Sequence, residues 1–244
     1  HITKSYKVVN FSSKILLEEL NKAREILVRE HKSLFLEELD DLIHKVSIFG
    51  FHFATLDIRQ DSRVHHNAFT NMVQELLDAK DTTFPENYLT LSEKKQVAVL
   101  SKMKGDIDPN IFSNEMLVKT LQSIQAIKEI QYRNGKRGAN RYIISNNQTA
   151  LNVMQTFAML NLSGFGDVLP VDVIPLFETV DDLQNAASVM RTLYSNTEYR
   201  KHVRQRKDKQ TIMLGFSDGT KDGGYLMANW SIFKAKEELT AISR

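Results

Sequence analysis

Four short runs of β-forming residues, each followed by a longer stretch of helical periodicity, constrain this chain more than any other feature. The runs cover residues 51–60, 142–145, 171–177 and 211–216, and the helical patterns that follow them cover 63–80, 149–161, 180–206 and 223–242. The last three strands recur at intervals of roughly 30 and 40 residues, the spacing of repeated βα units. A helix that follows a strand and leads to another strand returns the chain in the same direction, so the sheet should be parallel. The expectation is a helix-rich α/β fold with about four parallel strands, part of a (β/α)8 TIM barrel with extra helices. Four strands cannot close such a barrel, which takes eight at the usual tilt. Two parallel edges would therefore stay open.

The rest of the chain reads as helix and loop. Ser12 and Ser13 offer N-caps to a first helix carrying Ile15, Leu16, Leu20, Ile26 and Leu27. A second helical run through Leu34, Leu39, Ile43 and Val46 ends near Gly50, a natural C-cap. In 51–60, Phe51, Phe53, Thr55, Asp57 and Arg59 would share one face of a strand, and Ala54, Leu56 and Ile58 the other. Further helices are predicted over 91–103 and 113–133, separated by turn-rich breaks at 81–88 and 105–109. The chain starts at His1 without Met and stops at Arg244 directly after a helical run. The whole of 1–244 is thus expected to be one truncated piece of a larger barrel enzyme, with peripheral helices in 1–50 and about four βα units in 51–244.

Composition removes several classes of function. With 42% hydrophobic residues in 244, there is enough apolar material for a sizeable core. The absence of cysteine excludes a disulfide framework and a thiolate metal site, and fits a reducing, cytoplasmic setting. A balance of 32 basic against 30 acidic residues gives no reason to expect nucleic acid as a partner. No apolar run reaches the ~18 residues of a membrane span.

In a parallel βα barrel, reactive groups sit at the carboxyl ends of the strands. Those ends supply Arg59, the small polar residues Ser145, Asn146 and Asn147, and the carboxylates Glu178 and Asp218. Paired carboxylates suit a hard cation such as Mg2+ or Mn2+, and a nearby cation suits a phosphate or carboxylate. After Asp218 come Gly219, Lys221, Gly223 and Gly224, glycines that let backbone approach a ligand and a lysine that can reach back over the strand end. A plain βα turn explains the same spacing. Thr179 with Asp182 three residues on has the form of a capping box, which leaves Glu178 at the strand tip without a structural role. His65 and His66 are adjacent and point to different faces, so they are read as loop or helix surface. His31, His44 and His202 are likewise placed on the surface, the basic run 200–209 on a solvated helix end, and Trp230 and Phe233 in the core.

Four segments then name a family. Leu56-Asp57-Ile58-Arg59-Gln60-Asp61-Ser62 resembles the segment LDIRQES of phosphoenolpyruvate carboxylases. Pro175-Leu176-Phe177-Glu178-Thr179-Val180-Asp181-Asp182-Leu183 resembles their PLFETLDDL, and Met213 to Gly224 their MxGYSDSxKDAG pattern. Tyr142-Ile143-Ile144-Ser145 is similar to their YVIS strand, and the order of the four agrees. Phe216 departs from the family Tyr, Gly219 from Ser, and Gly223 from a small Ala or Ser.

The resemblance implies a (β/α)8 barrel wrapped in extra helices, whose carboxy-lyase chemistry joins phosphoenolpyruvate and bicarbonate into oxaloacetate and phosphate. It implies Glu178 and Asp218 as ligands of Mg2+ or Mn2+, Arg59 as the group that binds the substrate phosphate, and Lys221 in the same anionic pocket. It also implies a homotetrameric parent. The family's catalytic histidine would precede His1 and its glycine- and arginine-rich loop would follow Arg244, so the fragment alone is expected to be inactive. Two other readings stand beside this one. A different Mg2+-dependent barrel acting on phosphorylated enols, such as a pyruvate-kinase-like phosphotransferase, would need a nucleotide site. A non-enzymatic helical binding module would rest on the helix-rich first half and the basic run.

Overall fold

The structure, a computed structural model, describes residues 11–244. The chain divides into two compact units, the first running to Leu56 together with Ile130–Gly138, the second comprising Asp57–Glu129 and Ala139–Arg244.

The first unit holds helices α1 (Ser13–Glu30) and α2 (Leu36–Phe49). Ser12 caps α1 by accepting the N–H of Ile15 at 3.3 Å, and Arg24 of α1 pairs with Asp40 of α2 at 2.6 Å. Gly50 ends α2 with φ +54° and ψ −137°, a conformation that glycine reaches at no steric cost and a residue bearing a Cβ does not. Extended structure does not begin here. Gly50 and Phe53 both take positive φ, and Phe53 N–H still bonds the carbonyl of Phe49 at 2.9 Å, so 51–56 is a set of turns rather than the first half of a strand.

The second unit carries the sheet. Strand β1 (Asp57–Asp61) runs into α3 (Ser62–Asp78). The short α4 (Glu93–Leu100) and the long α5 (Glu115–Asn134) precede β2 (Arg141–Ser145). Then come α6 (Ala150–Asn161), β3 (Asp172–Phe177), α7 (Val180–Ser195) and α8 (Thr197–Gln205). The last strand, β4 (Met213–Leu214), leads into α9 (Phe216–Ser243). All pairings are parallel, and the order β1-β2-β3-β4 follows the sequence. This is the helix-rich α/β sheet of four parallel strands that strand–helix alternation requires, and it fits part of a barrel.

The central strands read as near-continuous apolar runs because both their faces are covered. Ile143, Ile174 and Leu176 form a buried cluster with Met213 packed against it. Each such side chain contributes about 1.5–3 kcal/mol by leaving water. The edge strands are less covered, as the alternating exposure of β1 records.

Several elements differ from the sequence expectation. Strand β4 has two residues rather than six, because only Met213 and Leu214 are in register with β3. The predicted helix over 180–206 is two helices, broken at Asn196, whose side chain accepts the N–H groups of Glu198 and Tyr199 and so starts α8. Helix α9 starts at Phe216, seven residues before the expected 223, and is interrupted at Gly224 with φ +80°. Asp218 lies in its first turn, where a carboxylate favours helix over loop. His65 is buried, with Nε2 2.9 Å from Tyr142 Oη and Nδ1 2.9 Å from Thr156 Oγ1, and His202 is buried against Phe157 and Tyr199. Neither is a surface residue. Trp230 and Phe233 lie outside the core, each 58% exposed and stacked on each other at 5.9 Å.

Candidate functional site

Parallel strands in sequential order bring their carboxyl ends to one edge. The residues that directly follow the four strands are Ser62, Asn146, Glu178 and Gly215. Ser62 Oγ donates to the carbonyl of Asn146 at 2.5 Å. Asn147 N–H donates to the carbonyl of Leu176 at 3.1 Å, and Gly215 N–H to that of Phe177 at 2.7 Å. The four strand ends are thus tied to one another by hydrogen bonds beyond the sheet ladder.

Glu178 stands at the centre of this edge. The capping box of α7 fixes its backbone: Thr179 Oγ1 accepts the N–H of Asp182 at 3.1 Å, while Asp182 Oδ2 accepts the N–H of Thr179 at 3.0 Å and of Glu178 at 3.3 Å. Its carboxylate accepts from Arg59 Nη2 at 2.8 Å. Burial pushes the Glu178 carboxyl above the ordinary range; Arg59 draws it back, and the charge of Asp218 adds to the rise. Two carboxylates that feel each other, one of them largely shielded from water, make a place where a cation is favoured.

Asp218 approaches because α9 lies close against the tip of β3. A Cβ on Gly215 would stand 3.1 Å from Glu178 Cα, and one on Gly219 would stand 3.3 Å from the Glu178 carbonyl. Only small residues allow this approach. The side chain of Asp222 then accepts the N–H of Val180 at 2.9 Å, pinning the start of α9 to the start of α7.

Of the four residues singled out in the sequence, Arg59 and Glu178 pair at this edge, and Asp218, in the first turn of α9, lies near enough for its charge to act on Glu178. Lys221 is placed differently. Its Nζ pairs with Asp218 at 3.3 Å, one turn along the same helix, and its side chain is 78% exposed. The four charged groups therefore form two ion pairs, Arg59 with Glu178 and Lys221 with Asp218. Ser62 and Asp222 have structural parts around them that the sequence did not mark, Ser62 bonding the carbonyl of Asn146, one of the strand-end residues the sequence named, and Asp222 bonding the N–H of Val180.

The donor set fits a hard divalent cation. Among the described residues no group of three or more His, Cys, Asp or Glu side chains is placed to hold a metal. Two carboxylates from neighbouring strand ends match Mg2+ and its like, which take one or two carboxylates and keep water and substrate oxygens for the remaining positions.

A parallel βα sheet that gathers two carboxylates, a guanidinium and an ammonium at its carboxyl edge belongs to the broad class of βα proteins that carry charged sites there. The match to known proteins is narrower. The family model for phosphoenolpyruvate carboxylase matches residues 4–244, and the chain belongs to that family. It is 35% identical over 226 residues to the phosphoenolpyruvate carboxylase of Nitrosomonas europaea, and 35% identical over 225 residues to that of Nitrosomonas eutropha. Each alignment covers 88% of this chain and 24% of the relative, so the chain spans about a quarter of the length of the curated relatives it matches.

Proposed function

We propose that this chain is the part of a phosphoenolpyruvate carboxylase that holds the divalent cation and grips the anionic end of the substrate. The observation that carries the reading is the shielded Glu178 carboxylate, paired with Arg59 and within reach of the like charge of Asp218, at the end of a parallel strand. The parent reaction joins phosphoenolpyruvate and bicarbonate into oxaloacetate and phosphate. In it the four strands are part of an eight-stranded barrel, and the whole protein is a cytoplasmic homotetramer.

Glu178 and Asp218 would hold Mg2+ or Mn2+. Such an ion would supply charge stabilisation at the enolate oxygen, which becomes negative when its bond to phosphorus breaks. The rest falls to side chains. Arg59 presents a planar fork of donors that matches a phosphate bidentately, as a lysine cannot. It can exchange the Glu178 oxygen for a phosphate oxygen without leaving a cation unpaired. Lys221, exposed and on a flexible stem, adds a point charge that moves with the ligand. Asp218 and Arg59 are themselves about half exposed, so these residues alone do not keep water from a reactive enolate.

Two outcomes follow. The isolated 244-residue chain is expected to give no carboxylation in a coupled oxaloacetate assay at saturating substrates and Mn2+; turnover above background would refute the dependence on further shielding. In full-length enzyme carrying this segment, Asp218→Asn should lower metal-dependent kcat/KM by at least a hundredfold, the loss of about 2.7 kcal/mol of transition-state stabilisation. Near-normal turnover would remove Asp218 from the site.

A further inference from the structure

The first compact unit contains a cavity of about 490 Å³ whose residues take no part in the candidate site. Its walls are the first turn of α1, the end of α2 with the turns that follow it, and residues 132–137. Four cations line it, Lys14, Arg133, Lys136 and Arg137, and among the described residues no Asp or Glu does. In a chain of 32 basic and 30 acidic residues, so one-signed a cluster is a departure from the average surface. Elsewhere on the same unit lysines lie beside carboxylates, Lys22 with Glu19 and Lys45 with Asp41. Lys136 and Arg137 are in no ion pair among the described residues. A helix end accounts for part of the cluster. Arg133 lies in the last turn of α5, where a cation offsets the dipole, but that effect falls off within the turn. Lys136 and Arg137 lie past it, in the 3-10 turn Lys136–Ala139. Helix α1 starts in the same wall with Lys14, and no carboxylate, in its first turn. An anion in the cavity would meet several cations at once, each able to make a charge-assisted hydrogen bond.

The same walls carry aromatic rings. Phe11 and Phe51 stack with centroids 5.7 Å apart, both exposed, and Tyr132 is 84% exposed. Exposed rings next to cations match a ligand that joins a planar base to phosphate groups, and the stacking of a base on such a ring is worth about 1–3 kcal/mol. The volume is within the range of small-molecule pockets. Glycines shape the walls. A Cβ at Gly50 would stand 3.0 Å from the His52 ring, and one at Gly138 would stand 3.1 Å from His52 Cβ, so both positions leave room for His52 in the lining. We propose that this cavity is a binding site for a nucleotide, with its phosphates on Lys14, Lys136 and Arg137 and its base against the exposed rings. None of these residues belongs to the edge at Glu178, so the site stands whether or not that edge holds a metal.

The test is calorimetric titration of ATP into full-length enzyme carrying this segment, with a chelator present so that no metal bridges ATP to a carboxylate. Saturable binding is expected. Lys136→Gln combined with Arg137→Gln should weaken it about tenfold, and Tyr132→Ala about fivefold. All three side chains are exposed, so the fold is not at stake in these variants. Lys207→Gln combined with Lys209→Gln removes the same charge from the basic run and should leave affinity within about twofold of the parent protein. Arg59→Gln should do the same. Pyrophosphate should bind more weakly than ATP and be indifferent to Tyr132→Ala. Absence of ATP binding by the parent protein overturns the proposal. So does an equal loss in the Lys207 and Lys209 variant, which would mean attraction to positive charge in general. A loss in Arg59→Gln would put the nucleotide at the Glu178 edge and overturn the proposal while leaving that edge a binding site. If pyrophosphate binds as tightly as ATP and Tyr132→Ala changes neither, the assignment to a nucleotide is overturned.

Discussion

Gly223 and Val180 depart together from the family pattern, and the structure gives the reason. A Cβ at position 223 would lie 2.6 Å from Val180 Cγ2, whereas the family segment carries Leu, branched one carbon further out, where this chain has Val180. Gly→Ala in a helix ordinarily gains about 0.5–1 kcal/mol. Here overpacking should cancel that gain or exceed it, so Gly223→Ala should be neutral to destabilising. With Val180→Ala the same change should recover its ordinary gain. A double-mutant cycle by urea denaturation measures the coupling, and strict additivity would refute the clash. The buried histidines lead to a second prediction at this scale. Burial holds His65 and His202 down to about 4, against 6.5 or so in an unfolded chain. Between those values the unfolded state binds more protons, so stability is complete above about pH 6.5 and is lost as pH falls toward 4. For each histidine the loss between pH 7.5 and pH 5 should be roughly 2 kcal/mol. His202→Gln should flatten the slope of unfolding free energy over that window; an unchanged slope would mean that His202 charges in the folded state. These two roles were hidden in the sequence, because a histidine in a charged helical context reads as surface until the packing of Tyr142, Thr156, Phe157 and Tyr199 around it is seen.

At the scale of elements, the strength of each local signal decided what could be read. Strand–helix alternation and the caps at Ser12, Gly50 and Thr179 were legible, since period and capping chemistry are local properties. The ends of β1 and β4 were not. Phe51-His52-Phe53 has strand composition, but the positive φ of Gly50 and Phe53 turns it away, and β4 is confined to the two residues that pair with β3. The start of α9 was missed for a related reason. Ser217, Asp218, Gly219 and Thr220 are turn formers in isolation, yet the close contact of Gly215 and Gly219 with the tip of β3 selects a helix there. That contact is what carries Asp218 to Glu178, so the same tertiary effect that defeated the boundary built the site. Asp222 gives this a direct check. Its carboxylate on Val180 N–H joins the two helix starts, and the hydrogen bond to a charged group is worth about 1.5–3 kcal/mol. Asp222→Ala should lower unfolding stability by about that amount, and Asp222→Asn, which keeps an acceptor, by less; equal losses would place its role elsewhere.

For the molecule as a whole, the open sheet leaves its mark on α9. Three-residue spacing on a helix usually faces inward, which would put Trp230 and Phe233 in the core. Instead Tyr225 is 69% and Leu226 82% exposed beside them, while Ala228, Ser231 and Ala235 are the buried face. The helix packs on α7 through its small residues and turns its large ones to solvent. An apolar face of this extent is more than scattered surface hydrophobics. The chain has one tryptophan, so its emission reports on that face without interference. In dilute 244-residue chain, Trp230 emission should lie near that of an indole in water and be quenched by acrylamide almost as readily as in unfolded chain. Raising the protein concentration should shift it to the blue only if copies associate through α9. A blue-shifted, poorly quenched emission that is independent of concentration would mean that α9 turns its large residues inward, and would overturn the account of an edge helix whose apolar side the four-stranded sheet does not cover.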